Sequence, residues 1–107
     1  MLLFKRKFLP AIRSGEKTQT VRLWKYRRMR QGQRSYIPGV GYIGVDAVDL
    51  VELSQLTDED ARRDGFPTAD GLREELGALY TEKLAEGHCA YRVQFHVLPP
   101  EQQKKRE

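Results

Sequence analysis

The densest group of chemically versatile side chains follows Gly15, in the segment Gly15-Glu-Lys-Thr-Gln-Thr-Val-Arg22. Lys17 offers an amine that becomes a base when it is removed from water, and Thr20 offers a hydroxyl that can attack an acyl carbon. Arg22 offers a planar guanidinium that suits phosphate or carboxylate. The segment therefore indicates either hydrolytic chemistry or anion binding. The structural alternative is a surface turn followed by an amphipathic strand.

A carboxylate that can complete this group lies much later in the chain, at Asp64, immediately before Gly65. If burial raises its pKa, Asp64 can act as a general acid or base. The alternative is an ordinary residue in the last turn of a helix that ends at the glycine. For Arg22 two interpretations stay open, which are contact with a phosphate and an ion pair with Asp64.

The charges of the chain are unevenly distributed. Residues 1–45 contain 11 Lys and Arg and one acid, for a net charge of +10, whereas residues 46–82 carry −8. Within the basic part, residues 22–34 contain six cations, two aromatic rings and no acid. Cations neutralise phosphates and flat rings stack on bases, so this pattern favours a nucleic-acid surface. The alternatives are a solvated basic loop and, more weakly, a surface for an acidic protein or for a second copy.

If the partner is RNA, single-stranded or looped RNA is expected, because its bases can be splayed onto aromatic side chains. A nucleoside is the alternative ligand. The predicted ligand-binding residues are basic or aromatic: Lys5, Lys17, Arg22, Trp24, Lys25, Tyr26, Arg27, Arg28 and Arg30.

Composition excludes several other classes of protein. The length of 107 residues predicts one domain. A single cysteine, Cys89, excludes an intrachain disulfide, and with only two histidines neither a metal nor a cofactor is expected. No run approaches the roughly 20 apolar residues of a membrane span. Because the apolar start at 1–4 is too short for a signal peptide, we expect a cytoplasmic protein.

The elements that must position these residues can be predicted from local patterns. A capping box at Thr57–Asp60 begins one helix, and Thr68 caps another. In the segment 43–53 the alternation changes phase, which a β-bulge near Ala47 would correct. Strands are predicted at 1–4, 18–24, 34–37, 43–53 and 89–97, and a further helix at 8–14.

The same residues carry a family resemblance. The pattern Gly15-x-Lys17-x-x-x-x-Arg22, after an N-terminal strand and a short helix, resembles the ASCH domain, which is related to the PUA domain. Phe4-x-x-x-Phe8 precedes the pattern, Leu23-Trp24 follows it, and Asp60-Ala61-x-x-Asp64-Gly65-Phe66 is similar to a later acidic element of the family. The resemblance predicts an ASCH/PUA-like domain over residues 1–98, followed by a charged tail at 99–107.

The resemblance implies an α+β fold, a small PUA-like β-barrel of about five or six mixed strands with two or three flanking helices. It also implies RNA binding in a cleft beside the Gly15–Lys17–Arg22 motif. Some family members resemble ribonucleases, and one branch hydrolyses N4-acetylcytidine with a Lys, a Thr three positions later and a distal Glu. Lys17 and Thr20 match the first two, and Asp64, one methylene shorter, stands near the glutamate position. In a metal-independent amidohydrolase these would be base, nucleophile and acid.

Overall fold

The chain folds as a curled four-stranded antiparallel sheet combined with helices. The computed structural model describes residues 1–103, except for the side chains of Ala78 and Leu79. Short 3₁₀ turns precede the first helix, follow the third strand and follow the last strand. The elements are α1 (Leu9–Ser14), β1 (Gln19–Trp24), β2 (Arg34–Ile37), β3 (Gly41–Val51), α2 (Asp58–Arg63), α3 (Ala69–Ala85) and β4 (Cys89–Val97).

The predicted five or six mixed strands are wrong, because the described residues contain four strands in the order β1-β4-β3-β2, all paired antiparallel. The sheet is a half-barrel whose edges are β1 and β2. The predicted strand at 1–4 is absent: its one backbone hydrogen bond to the sheet joins Leu2 N to Tyr36 O. The chain turns immediately into the 3₁₀ turn Arg6–Phe8, so the segment docks through the side chains of Leu2 and Phe4 instead.

The predicted bulge in β3 is confirmed. Val45 pairs with Phe95 and Ala47 pairs with Gln94, so the register shifts by one residue between Val45 and Ala47. The extra residue returns the following apolar side chains to the buried face. Val45 and Val48 are both buried in the core as a result.

Two apolar clusters cover opposite faces of β4. Tyr91, Val93 and Phe95 point into the main core, and Ala90 points into a second cluster that holds α2 and α3. Since successive side chains of a strand alternate between faces, the regular alternation of β4 supplies both clusters. Residues 104–107 of the predicted tail lie outside the described residues.

Two helix ends face the start of β1. Gly15 ends α1 with φ 85°, and the N–H groups of Glu16 and Lys17 both donate to Ala11 O. The predicted capping box at Thr57 is confirmed and begins α2, which ends at Arg63 and is followed by Asp64 as C-cap and Gly65 with φ 94°. Left-handed glycines therefore turn the chain after both helices. In the part of the chain that is described, no helix is long and apolar enough to cross a membrane.

We expect Gly15→Ala to lower the free energy of unfolding by about 1 kcal/mol, because a Cβ is disfavoured in the left-handed region. A Cβ at Gly15 meets nothing within 4 Å, so the cost is conformational alone. Gly71→Ala in the first turn of α3 is the matched control and should raise the stability by about 0.5 kcal/mol. Urea unfolding measures both changes. Equal effects at the two glycines would contradict the assignment of the Gly15 turn.

Candidate functional site

Lys17 is buried, with only 2% of its surface exposed. Its Nζ donates to Asp64 Oδ1 at 2.6 Å and also to the main-chain oxygen of Asp64. Asp64 is itself 3% exposed. The turns after α1 and α2 thus place an amine and a carboxylate against each other inside the protein.

Three phenylalanine rings surround the Lys17 amine. The distances from Nζ to the ring centroids are 4.9 Å for Phe8, 5.7 Å for Phe4 and 5.9 Å for Phe66. The rings attract an ammonium ion through their faces, but they also exclude water from it. The charged form of Lys17 is therefore stable in this site only while it is paired with Asp64.

Burial changes the pKa values of both partners in the direction that favours their uncharged forms. Desolvation lowers the pKa of Lys17 below 10.5, although Asp64 opposes this effect. Desolvation raises the pKa of Asp64 above 3.8, against the influence of Lys17 and Arg22. A proton can therefore pass between Nζ and Oδ1 more easily than between the same groups in water.

Thr20 and Arg22 lie beside this pair on β1. Thr20 is 6% exposed, and its Oγ1 accepts a hydrogen bond from Arg22 Nε at 3.1 Å. Arg22 Nη2 donates to Leu3 O at 2.5 Å, and the guanidinium lies 4.6 Å from the centroid of Phe4. The hydrogen bonds of Arg22 thus reach Leu3 and Thr20, while Asp64 acts on it only through its charge.

A cavity of about 270 Å³ joins these groups. The size is near the lower end of small-molecule sites, roughly 300–1,000 Å³, and suits one flat ring with a substituent. The buried Oδ2 of Asp64 has no hydrogen-bond partner among the described residues. The cavity brings all three predicted catalytic residues together, and it is lined by Leu3, Phe4, Lys5, Phe8, Lys17, Thr20, Val21, Arg22, Asp64, Phe66, Leu72, Glu75 and Leu76.

The rest of the predicted ligand-binding set lies outside this cavity. Trp24 is half-buried and packs on Tyr91, with ring centroids 5.5 Å apart. Arg27 Nη1 donates to Val48 O, so this side chain braces the sheet. The exposed remainder, which we name the basic surface, consists of Lys25, Tyr26, Arg28 and Arg30.

Two kinds of site residue were missed from the sequence. The spacing of Phe4 and Phe8 in the sequence indicated two of the three rings around Lys17. Phe66 was not indicated, because only the turn after α2 brings it to the amine. Glu75 lines the cavity from α3 and bonds Lys5, which no local pattern indicates.

A larger cavity of about 480 Å³ lies between the ends of β3, β4 and α3. Its main polar group, Arg92, is held by Asp60 at 3.1 Å and Asp49 at 3.4 Å. It contains none of the residues predicted to do chemistry. Among the described residues, no group of three His, Cys, Asp or Glu side chains is placed to hold a metal ion.

The chain is similar to known proteins in structure, but no similarity is found in sequence. No protein-family model and no curated protein matches the chain. The fold is similar to an ASCH domain from Lactobacillus crispatus JV V101, with TM-score 0.69 and 15% identity over 83% of this chain and 69% of that one. The fold is also similar to a protein from Enterococcus faecalis V583 assigned to the family DUF984. The TM-score is 0.68 and the identity 17%, over 94% of this chain and 76% of that one. A third similar structure, that of a hypothetical protein, has a TM-score of 0.71 and 14% identity, over 90% of this chain and 95% of that one. The chain therefore has the ASCH-like fold that the motif predicted.

We expect a double-mutant cycle to show strong coupling between Lys17 and Asp64. Lys17→Met should cost about 3 kcal/mol, because it leaves a buried carboxylate without its partner. Lys17→Met/Asp64→Leu should cost much less than the sum of the two single changes. Urea unfolding gives the four free energies, and additive single effects would contradict the ion pair. As a control, Arg63→Gln removes the exposed pair with Glu59 and should cost less than about 0.5 kcal/mol.

The same variant should also show a defined pH dependence. In Lys17→Met the carboxyl of Asp64 keeps a raised pKa, since burial remains and the stabilising amine is gone. A raised folded-state pKa contributes stability at low pH that is lost as the pH rises through that pKa. The loss of stability relative to wild type should therefore be smaller at pH 5 than at pH 8. A penalty that does not change with pH would contradict the burial of Asp64.

Proposed function

We propose that the protein is an amidohydrolase that removes an acyl group from an amine on a small flat ring, as in N4-acetylcytidine. The observation that supports this most directly is the shared cavity of Lys17, Thr20 and Asp64. Aromatic side chains on its walls suit a heterocyclic ring. The likeness to ASCH domains supports the fold on which such a site is built.

The first half of the reaction requires the uncharged form of the pair, which the resting ion pair reaches when a proton moves from Lys17 to the carboxyl of Asp64. Thr20 Oγ1 attacks the acyl carbon, and its proton passes to the free amine of Lys17. The carbon–nitrogen bond breaks as Asp64 Oδ2, the oxygen not used by Lys17, gives its proton to the leaving nitrogen. The products are the free amine of the ring, an acyl ester on Thr20 and a charged Lys17–Asp64 pair.

The second half restores the starting state. A water molecule attacks the ester and gives a proton to Asp64, and the carboxylic acid leaves as Lys17 returns its proton to Thr20. Arg22 Nε, 3.1 Å from Oγ1, stabilises negative charge on that oxygen in both halves. The pair therefore alternates between its uncharged and charged forms during one turnover.

RNA binding is the second candidate, and the basic surface supports it. Tyr26 is 69% exposed beside the exposed cations Lys25, Arg28 and Arg30. Such a surface offers phosphate contacts and a ring on which a base can stack. Lys17, at 2% exposure, is too buried to serve as a phosphate contact on this surface.

Thr20→Val should abolish hydrolysis of N4-acetylcytidine, with a loss of at least about 10³-fold, because the isosteric side chain lacks the nucleophile. Thr20→Ser should keep measurable turnover. Release of acetate and cytidine by the purified protein measures the rate.

The matched control for this change is Thr18→Val, in the same segment but outside the cavity lining. Thr18→Val should leave turnover within about twofold, since Thr18 is half-buried and does not line the cavity. Wild-type turnover in Thr20→Val would remove Thr20 from the nucleophile role. A wild-type protein that does not hydrolyse N4-acetylcytidine would contradict the proposed substrate.

For the second candidate, replacement of Lys25, Arg28 and Arg30 by Ala should weaken binding of single-stranded RNA and flatten its salt dependence. Because the triple variant neutralises up to three fewer phosphates, the slope of log K against log salt should fall by about 2. Fluorescence anisotropy between low and moderate salt measures it. RNA affinity that is independent of salt would argue against this surface.

A further inference from the structure

The mouth of the cavity is bridged by charged side chains. Lys5 Nζ lies 3.3 Å and Lys7 Nζ lies 3.1 Å from the same oxygen, Oε1 of Glu75. The lysines belong to the N-terminal segment, whereas Glu75 belongs to α3. Lys5 and Glu75 both line the cavity, so the bridge joins the N-terminal segment to α3 beside it.

Positive charge is in excess at this bridge. Inside the cavity, Lys17 and Asp64 offset each other, and Arg22 adds one positive charge. At the mouth, Lys5 and Lys7 share the single carboxylate of Glu75. The described groups therefore carry a net +2, which favours an anionic ligand over a neutral one.

We propose that Lys5 and Lys7 form a phosphate-binding site at the mouth, that Glu75 occupies it in this structure, and that the ligand is a nucleotide rather than a free nucleoside. The inference rests on the proposed function for the ring in the cavity. Because both amines contact one oxygen, they are at most 6.4 Å apart. One phosphate group can bridge that separation, with an oxygen on each amine.

Exchange of Glu75 for a phosphate costs little free energy. The side chains of Lys5 and Lys7 are 71% and 58% exposed, and that of Glu75 is 30% exposed. Ion pairs with this exposure contribute little to stability. The two lysines lower the pKa of Glu75, so it competes as a full anion at neutral pH. Glu75 therefore acts as an internal competitor of the phosphate.

If Glu75 competes with the phosphate, removal of its charge should strengthen ligand binding rather than weaken it. Glu75→Gln should strengthen binding of cytidine 5′-monophosphate about threefold, because the competing charge is removed. Its neighbour Glu74 is exposed on the same helix and is the matched control. Glu74→Gln should change the affinity less than Glu75→Gln does, since it alters the net charge equally without contacting the lysines.

The test measures dissociation constants by calorimetry for inorganic phosphate, cytidine, cytidine 5′-monophosphate and a cytidine dinucleotide. In the wild type the monophosphate should bind about tenfold more tightly than cytidine. In Lys5→Met/Lys7→Met this difference should disappear, because the two amines that contact the phosphate are removed. Dinucleotide and monophosphate affinities then show whether the phosphate is a diester or a monoester.

The outcomes of these measurements distinguish the phosphate site from the proposed function of the cavity. Equal binding of cytidine and its monophosphate, or no gain in Glu75→Gln, overturns the phosphate site and leaves the ring site intact. Binding of inorganic phosphate that is lost in Lys5→Met/Lys7→Met, without any binding of cytidine, supports the phosphate site and contradicts the proposed function. Binding of neither probe overturns both.

Discussion

The buried ion pair of Lys17 and Asp64 is the interaction on which the rest of the site depends. Two charges without water are stable only if they meet at hydrogen-bond distance, here 2.6 Å. Meeting requires that α1 and α2 both end at the start of β1, with a left-handed glycine after each. A well-packed apolar pair in the same place would be as stable or more so. Stability alone therefore gives no reason for the pair, whereas the proton transfer of the proposed reaction does.

The N-terminal segment and the charged site support each other. One backbone hydrogen bond, from Leu2 to Tyr36, ties this segment to the sheet. Its ring at Phe4 lies between the Lys17 amine at 5.7 Å and the Arg22 guanidinium at 4.6 Å, and it also packs on Phe95. This ring, which lines the cavity, thus contacts both cations. The cavity wall is therefore sensitive to the charge state of the residues inside it.

Local patterns were sufficient for elements whose signals are local. The alternation of β4, the bulge near Ala47 and the capping box at Thr57 were all predicted, because each depends on neighbours within a few residues. The strand at 1–4 was wrong because docking of Leu2 and Phe4 into the core replaces a backbone ladder. The burial of Lys17 was not visible, since its immediate neighbours are polar. It arises from Phe66 and Asp64, which are more than 40 positions away.

The basic first part of the chain shows why net charge is a poor measure of a binding surface. Arg27 braces the sheet at Val48, Arg22 holds the hydroxyl of Thr20, and Lys17 is enclosed with Asp64. Lys17 is buried and Arg22 is half-buried, whereas Arg27 is exposed but bonded to the sheet, so the count of cations in the sequence overstates the charge offered to a polyanion. Burial thus separates the cations that line the cavity from those of the basic surface. The proposed functions assign them different ligands: a single ring for the cavity and an extended strand for the basic surface.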